Sequence, residues 1–263
     1  MSSLQITSVE SFLVQIAKRS KTRSTTWYRG QLNKFPLQPS LYRHSSLLTF
    51  SDAVDKEWEL RSDFTELASI YYDRGIESGL RGIMQMQHYR VPTRLLDWTR
   101  NPLVALFFAL TEAQASSYAE DTSIWLLDPN EWNKRALGRV GGPAHPLGVN
   151  DPEVLSYVGI DKSTVLVGDN PITIRGHSDN SRIAAQQGAF VLLGNAPTPL
   201  ETMDQAAKRL RIGPSVLLKT TIPASKARDM LDNLLAMGIT DDFVYPDLEG
   251  VVSHIRRKAG YSR

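Results

Sequence analysis

The chain contains no cysteine. That absence excludes disulfides, thiolate-held metals and a cysteine nucleophile, and it fits a reducing compartment. Long apolar runs are missing too. The longest, Leu103 to Leu110, falls far short of the ~20 residues that a membrane-spanning helix requires. Met1-Ser2-Ser3-Leu4-Gln5 has no basic segment followed by an apolar one, so no signal peptide is expected, and the chain reads as a cytoplasmic protein without a membrane partner. Charge of either sign is not in excess: 30 basic residues against 28 acidic give +2. There is no global basic field to drive non-specific nucleic-acid binding, which leaves only a local patch open. Neither a G-x-S-x-G elbow, a P-loop, a G-x-G-x-x-G turn nor an H-E-x-x-H helix occurs, which removes the mechanisms those motifs carry. His88 has no second histidine or carboxylate at zinc spacing, so no metal site is expected.

What remains is an ordinary globular composition, 263 residues with 41% hydrophobic and 22% charged, near the upper size of one domain. Thr7-Ser8-Val9-Glu10 reads as a capping box opening an amphipathic helix through Phe12, Leu13 and Ile16. Thr25 to Arg29 reads as a short strand ended by Gly30. Ser51 begins a long helical pattern through Val54, Trp58, Phe64, Leu67 and Tyr71, and a second runs from Ile76 to Tyr89. Gln87 to Pro102 then packs Gln, His, Thr, three Arg, Asp, Trp and Asn into what reads as a polar loop, where binding residues tend to concentrate. Asn101 with Pro102 makes an N-cap and first-turn pair. The helix that follows, apolar on every side, is expected at the centre of the core.

Further strands are expected at Ser123 to Leu127, Ile172 to Arg175, Ala189 to Leu193 and Val216 to Ile222. Helices are expected from Asp151-Pro152, over Ser225 to Met237 with Gly238 at its end, and after Pro246. Gly138 to Gly148 is rich in Gly and Pro and reads as a mobile loop. Irregularly interleaved strands and helices indicate a single α+β domain, its N-terminal helices forming a cap.

Four clusters carry candidate chemistry. In Trp27-Tyr28-Arg29-Gly30-Gln31 a guanidinium at a strand end can grip phosphate or carboxylate bidentately, or can be a surface arginine beside a turn. Asp97 either pairs with Arg94 or Arg100 and braces its loop, or faces a ligand. His88 either fixes that loop or touches the ligand. Gln186-Gln187-Gly188 sets two amides before a glycine that allows close backbone approach. Asp247 and Glu249 form an acid pair if the chain there is extended; if it is helical, Asp247 is an N-cap and Glu249 complements the dipole. The cluster Arg256-Arg257-Lys258 reads as a solvated helix end.

Taken in order, these blocks resemble the FRG domain family. Tyr28-Arg29-Gly30 stands for its naming Phe-Arg-Gly motif. Leu37 to Arg43, Gln87-His88-Tyr89, Val91 to Thr99, Ala105 to Ala109, Arg182-Ile183, Gln187 to Phe190 and Pro246 to Gly250 follow. The resemblance extends over roughly Trp27 to Gly250 and implies a domain at 25–250, between an N-terminal helix at 1–24 and a helix end and tail at 251–263. One departure is Arg90, where the resemblance leads one to expect glycine.

A looser, fold-level likeness is to ADP-ribosyltransferases: an early strand ending in Arg-Gly, a middle motif before an apolar helix, and a late amide or acid. That likeness implies a mixed or split central sheet and NAD as substrate. It assigns catalytic roles to Arg29, Asp97 and Gln187, and nucleotide contacts to Tyr28, Arg29, Gln31, His88, Thr93, Arg94 and Trp98, with ring stacking on Trp98 or Tyr28. The function so implied is an NAD-dependent toxin or phage-defence effector of bacterial setting, acting on a nucleic-acid or protein acceptor. The alternatives are a non-catalytic nucleotide- or metabolite-binding module and, behind it, a nuclease.

Overall fold

A computed structural model describes residues 4–23, 25–43, 49–71, 76–138, 144–158, 170–176, 181–194, 198–210 and 216–261. Residues 139–143 of the Gly138 to Gly148 segment lie outside them. The fold is α+β and is organised by one seven-stranded sheet in the order β1-β7-β4-β2-β3-β6-β5. Its strands are β1 (Leu4–Gln5), β2 (Trp27–Leu32), β3 (Leu95–Thr99), β4 (Thr122–Leu127), β5 (Ile172–Arg175), β6 (Gly188–Leu192) and β7 (Leu217–Ile222). Among the described strands β1 and β7 pair in parallel and the other neighbours run antiparallel.

Strand alternation separates the side chains into three cores. Tyr28, Ile124, Leu126 and Ile222 bury against helices α1 (Val9–Ser20), α4 (Pro102–Ala115) and α9 (Ala224–Ala236). Trp27, Leu96, Trp98, Trp125, Leu127 and Val191 pack with Leu37, Trp132 and Leu200. Leu95, Ile172, Ile174, Phe190 and Leu192 meet α3 (Gly79–His88) and α6 (Pro152–Val158).

α4 lies at the centre, as its apolar periphery requires: Val104 to Phe107, Ala109 and Leu110 are fully buried. Asn101 caps it by accepting the Leu103 N–H, with Pro102 in the first turn. α1 is joined into the same core through Val9 and Phe12. Its box is one register later than the sequence indicates: Ser8 and Ser11, rather than Thr7 and Glu10, cap each other.

Two local expectations are corrected. β2 does not end at Gly30 but runs on to Leu32, because the missing side chain serves helix contact. A Cβ on Gly30 would stand 2.0 Å from the Ala105 carbonyl oxygen. Nor is the segment before α4 a loop throughout. Leu95 to Thr99 is β3, pairing over five positions with β6. The polar residues hid a strand whose apolar members, Leu95, Leu96 and Trp98, serve two different cores.

Candidate functional site

β2 and β3 share a single register pair, Tyr28 with Thr99, whereas β2 and β4 share six. Beyond that pair the two strands part, and a cleft of about 360 Å³ opens there, a volume in the range of small-molecule sites. β2 contributes Arg29, β3 Asp97, α3 Gln87 and His88, and α4 Phe108, Thr111 and Glu112. Arg182 and Gln186, from α7 (Ser181–Ala185) and the turn after it, and Tyr245 form the remaining wall.

The block from Thr93 to Thr99 builds this site one residue at a time. Thr93 is buried; its hydroxyl donates to Gln87 Oε1 at 2.6 Å and accepts the Leu95 N–H at 3.1 Å. So oriented, Gln87 donates its amide to Asp97 Oδ2 at 2.7 Å. Arg94 turns away from the cleft into a buried ion pair with Glu57 of α2 (Phe50–Ala68), Nε to Oε2 at 2.7 Å. Leu95, Leu96 and most of Trp98 anchor the strand in the cores, and Asp97 is the exposed side chain that β3 presents to the cleft. Thr99 closes the block by accepting the Asn101 N–H at 2.9 Å.

Arg29 spans the split. Its Nη1 donates to the Asp97 carbonyl at 2.7 Å and its Nε to Gln31 Oε1 at 3.0 Å, while Gln31 donates onward to the Phe35 carbonyl at 2.7 Å. Burial draws the Arg29 pKa below its ordinary value, with Asp97 and Glu112 pulling it back up. The Asp97 carboxyl is open to the cleft yet hemmed in by protein. This setting pushes its pKa above the ordinary aspartate value, against the attraction of Arg29 and the Gln87 hydrogen bond. His88 is held below its usual value by burial first and then by Arg182, Asp247 and Glu249 opposing, which favours a neutral imidazole near pH 7.

On the far wall Arg182 donates to Asp247 Oδ2 at 2.6 Å and stacks 4.9 Å from the Tyr245 ring centroid. Asp247 also caps α11 (Leu248–Lys258) by accepting the Gly250 N–H at 3.0 Å, so the helical alternative for Asp247 and Glu249 holds. The expected solvated helix end holds for the exposed Arg256 and Lys258 and is corrected for Arg257, which forks onto the buried carboxylate of Asp241 at 2.6 and 3.0 Å.

Of the residues singled out from sequence, Tyr28, Arg29, His88, Asp97 and Trp98 reach the cleft. Tyr28 and Trp98 are only 6% and 3% exposed, their bulk embedded in opposite cores, so stacking on a ligand ring is not open to them. Gln31, Thr93 and Arg94 do not line it; Gln31 holds Arg29 and Thr93 holds Gln87, while Arg94 is turned into its pair with Glu57. Gln187 is displaced as well. It adopts φ 48° after α7, and its carbonyl accepts the Arg100 N–H at 3.0 Å, while its neighbour Gln186 lines the cleft. Glu112, like Thr111 and Tyr245, is a lining residue the sequence reading missed. Its signal was a lone acid on an otherwise apolar helix, and it accepts the Leu32 N–H at 2.8 Å.

Because folded Asp97 holds its proton more tightly than the unfolded chain does, its contribution to stability is greatest at low pH. That contribution is lost as the pH rises from ~4 through the raised folded value. Asp97→Asn removes this charge. The melting temperature of the variant should therefore gain on wild type as the pH rises from ~4 through that raised value. A gap that instead narrows with rising pH in a thermal-melt series means that attraction to Arg29 outweighs burial.

No helix of the described residues is long and apolar enough to cross a membrane. Neither curated proteins nor solved structures give a match to the chain. Residues 24–118 match the FRG domain family, an interval that holds Arg29, Gln87, His88, Asp97 and Glu112 and so carries β2, β3, α4 and one whole wall of the cleft.

Proposed function

We propose that the cleft binds a nucleotide and that the protein is an NAD-using, ADP-ribosyltransferase-like enzyme with a macromolecular acceptor. The observation that carries this reading is the convergence of Arg29 and Asp97 at the parting of β2 and β3, with Glu112 on the helix beside them. A guanidinium there suits a phosphate or ribose oxygen. A carboxylate pushed up by burial gains most from a developing positive centre. In the transfer, the bond from ribose C1′ to nicotinamide breaks with its electron pair leaving on nicotinamide. C1′ then bonds to the acceptor nucleophile, whose proton passes to Asp97 or Glu112. Phe108 and Tyr245, ring centroids 6.2 Å apart, offer the apolar surface for a base or nicotinamide ring in place of Trp98.

Nicotinamide release from NAD by purified protein, with nucleic-acid and protein acceptors, tests the reading. Arg29→Ala should lower the rate by about 100-fold or more, the usual scale for losing a charge-stabilising group. Absence of release with every acceptor sinks the transferase reading, and an Arg29→Ala variant as active as wild type sinks the role of Arg29.

One observation favours a second reading, a non-catalytic nucleotide- or metabolite-binding module. The late position carries an amide, Gln186, in place of an acid. Thermal stabilisation by NAD, ADP-ribose or another nucleotide without turnover supports that alternative. The nuclease expectation is not carried forward, since no three of His, Asp and Glu gather at metal-holding distances among the described residues.

A further inference from the structure

Arg90 stands directly after Tyr89, the C-cap of α3, with φ 63°. That C′ position in left-handed geometry is where helices favour glycine, because a Cβ there meets backbone. Four non-glycine residues have positive φ among the described residues, Arg90, Ser117, Tyr118 and Gln187, and of these Arg90 alone lines the cleft. A strained conformation at a functional cleft invites a reason for keeping the side chain.

The reason lies in the charges around it. Among the described residues three guanidiniums line the cleft, those of Arg29, Arg90 and Arg182. Arg29 is held by Gln31 and the Asp97 carbonyl, and Arg182 by Asp247. Arg90 is exposed, and its guanidinium has no hydrogen bond or ion pair among the described residues. Of these three it is the guanidinium with all its donors open to a ligand. Arginine presents several donors in a planar fork suited to phosphate oxygens.

We propose that Arg90 forms a phosphate subsite at the edge of the cleft, binding the diphosphate of a free nucleotide. The choice of a nucleotide rests on the function proposed above; the anion-binding role rests on Arg90 itself.

Calorimetric titration of ADP, inorganic pyrophosphate and adenosine into wild type, Arg90→Gly and Arg90→Lys tests it. Wild type should bind ADP more tightly than adenosine. Arg90→Gly should weaken ADP and pyrophosphate by about tenfold, the loss expected for one charge-assisted contact, and leave adenosine within about twofold. Arg90→Lys should keep most of the ADP affinity through its charge. Unliganded Arg90→Gly should melt about 1–3 °C above wild type as the backbone strain is relieved, which separates lost binding from misfolding.

Unchanged ADP and pyrophosphate affinity in Arg90→Gly overturns the subsite, as does an equal loss for adenosine or a wild type that binds neither anion. An NAD assay run in parallel keeps the two readings apart. Turnover with Arg90-independent anion binding removes the subsite and spares the enzyme. Arg90-dependent binding without turnover does the reverse.

Discussion

Replacing Glu57 by alanine is expected to cost about 3–5 kcal/mol of stability, the range for removing one partner of a buried ion pair. The Glu57 carboxylate takes both the backbone N–H and the Nε of Arg94, each at 2.7 Å, and Arg94 Nη2 reaches the Tyr157 carbonyl at 3.0 Å. With side chains only 1% and 3% exposed, water cannot take over the lost partner. The variant should melt on the order of 10 °C below wild type at neutral pH. A double variant, Glu57→Met with Arg94→Met, should recover part of the loss, since no unpaired charge then stays buried. Urea unfolding of the three proteins decides the point. A cost under about 1 kcal/mol for Glu57→Ala would mean that the pair behaves as a surface contact. The effect reaches the cleft as well, because Arg94 follows Thr93, which orients Gln87 toward Asp97.

Gly30→Ala is expected to be nearly as damaging, by about 3 kcal/mol or more. The new Cβ would meet the Ala105 carbonyl oxygen at 2.0 Å and the Ala109 nitrogen at 2.7 Å. Both are backbone atoms of the central helix, so no side-chain rotation can make room. α4 would have to lift from β2, carrying Phe108, Thr111 and Glu112 away from Arg29. Gly138→Ala is the control, since a Cβ there meets nothing within 4 Å and the backbone is already α-helical at φ −61°. Thermal melts should show Gly138→Ala within about 2 °C of wild type and Gly30→Ala lower by several degrees. Equal melting temperatures for the two variants would show that the sheet and helix can separate at little cost.

Much of the frame was legible because it depends on local rules. The Asn101-Pro102 start of α4, the end of α9 near Gly238 with φ 87° and the cap at Asp247 follow from side-chain and backbone preferences of a few adjacent residues. The buried helix was legible from its apolar circumference. β3 was not, because its alternation is divided between two cores and interrupted by Asp97, so no single polar-apolar period survives. Gly30 was misread for a related reason. In sequence a glycine marks a turn, and only the helix lying on β2 shows that it marks close packing.

The candidate site divides along the same line. Arg29, His88 and Asp97 were visible as polar residues in specific motifs. The roles of Thr93, Arg94 and Gln31 depended on partners 6, 37 and 2 residues away in the chain, and only the first and last of these are near enough for a sequence to suggest. Choosing Gln186 over Gln187 required the backbone: with Gln187 at φ 48°, the turn after α7 leaves Gln186 on the cleft.

By itself the sequence determined an α+β chain without cysteine chemistry, the positions of most helices, and the motif around Asp97. Those properties follow from composition, period and capping, which act over a few residues. The tertiary structure alone decided that β2 and β3 part after one register pair, and that Glu112 and Arg182 face the gap between them. It also decided that Arg90 stands beside that gap in glycine-like geometry. Which side chains share a cavity depends on pairings far apart in sequence and on the space left by packed helices, and neither is written in local preference.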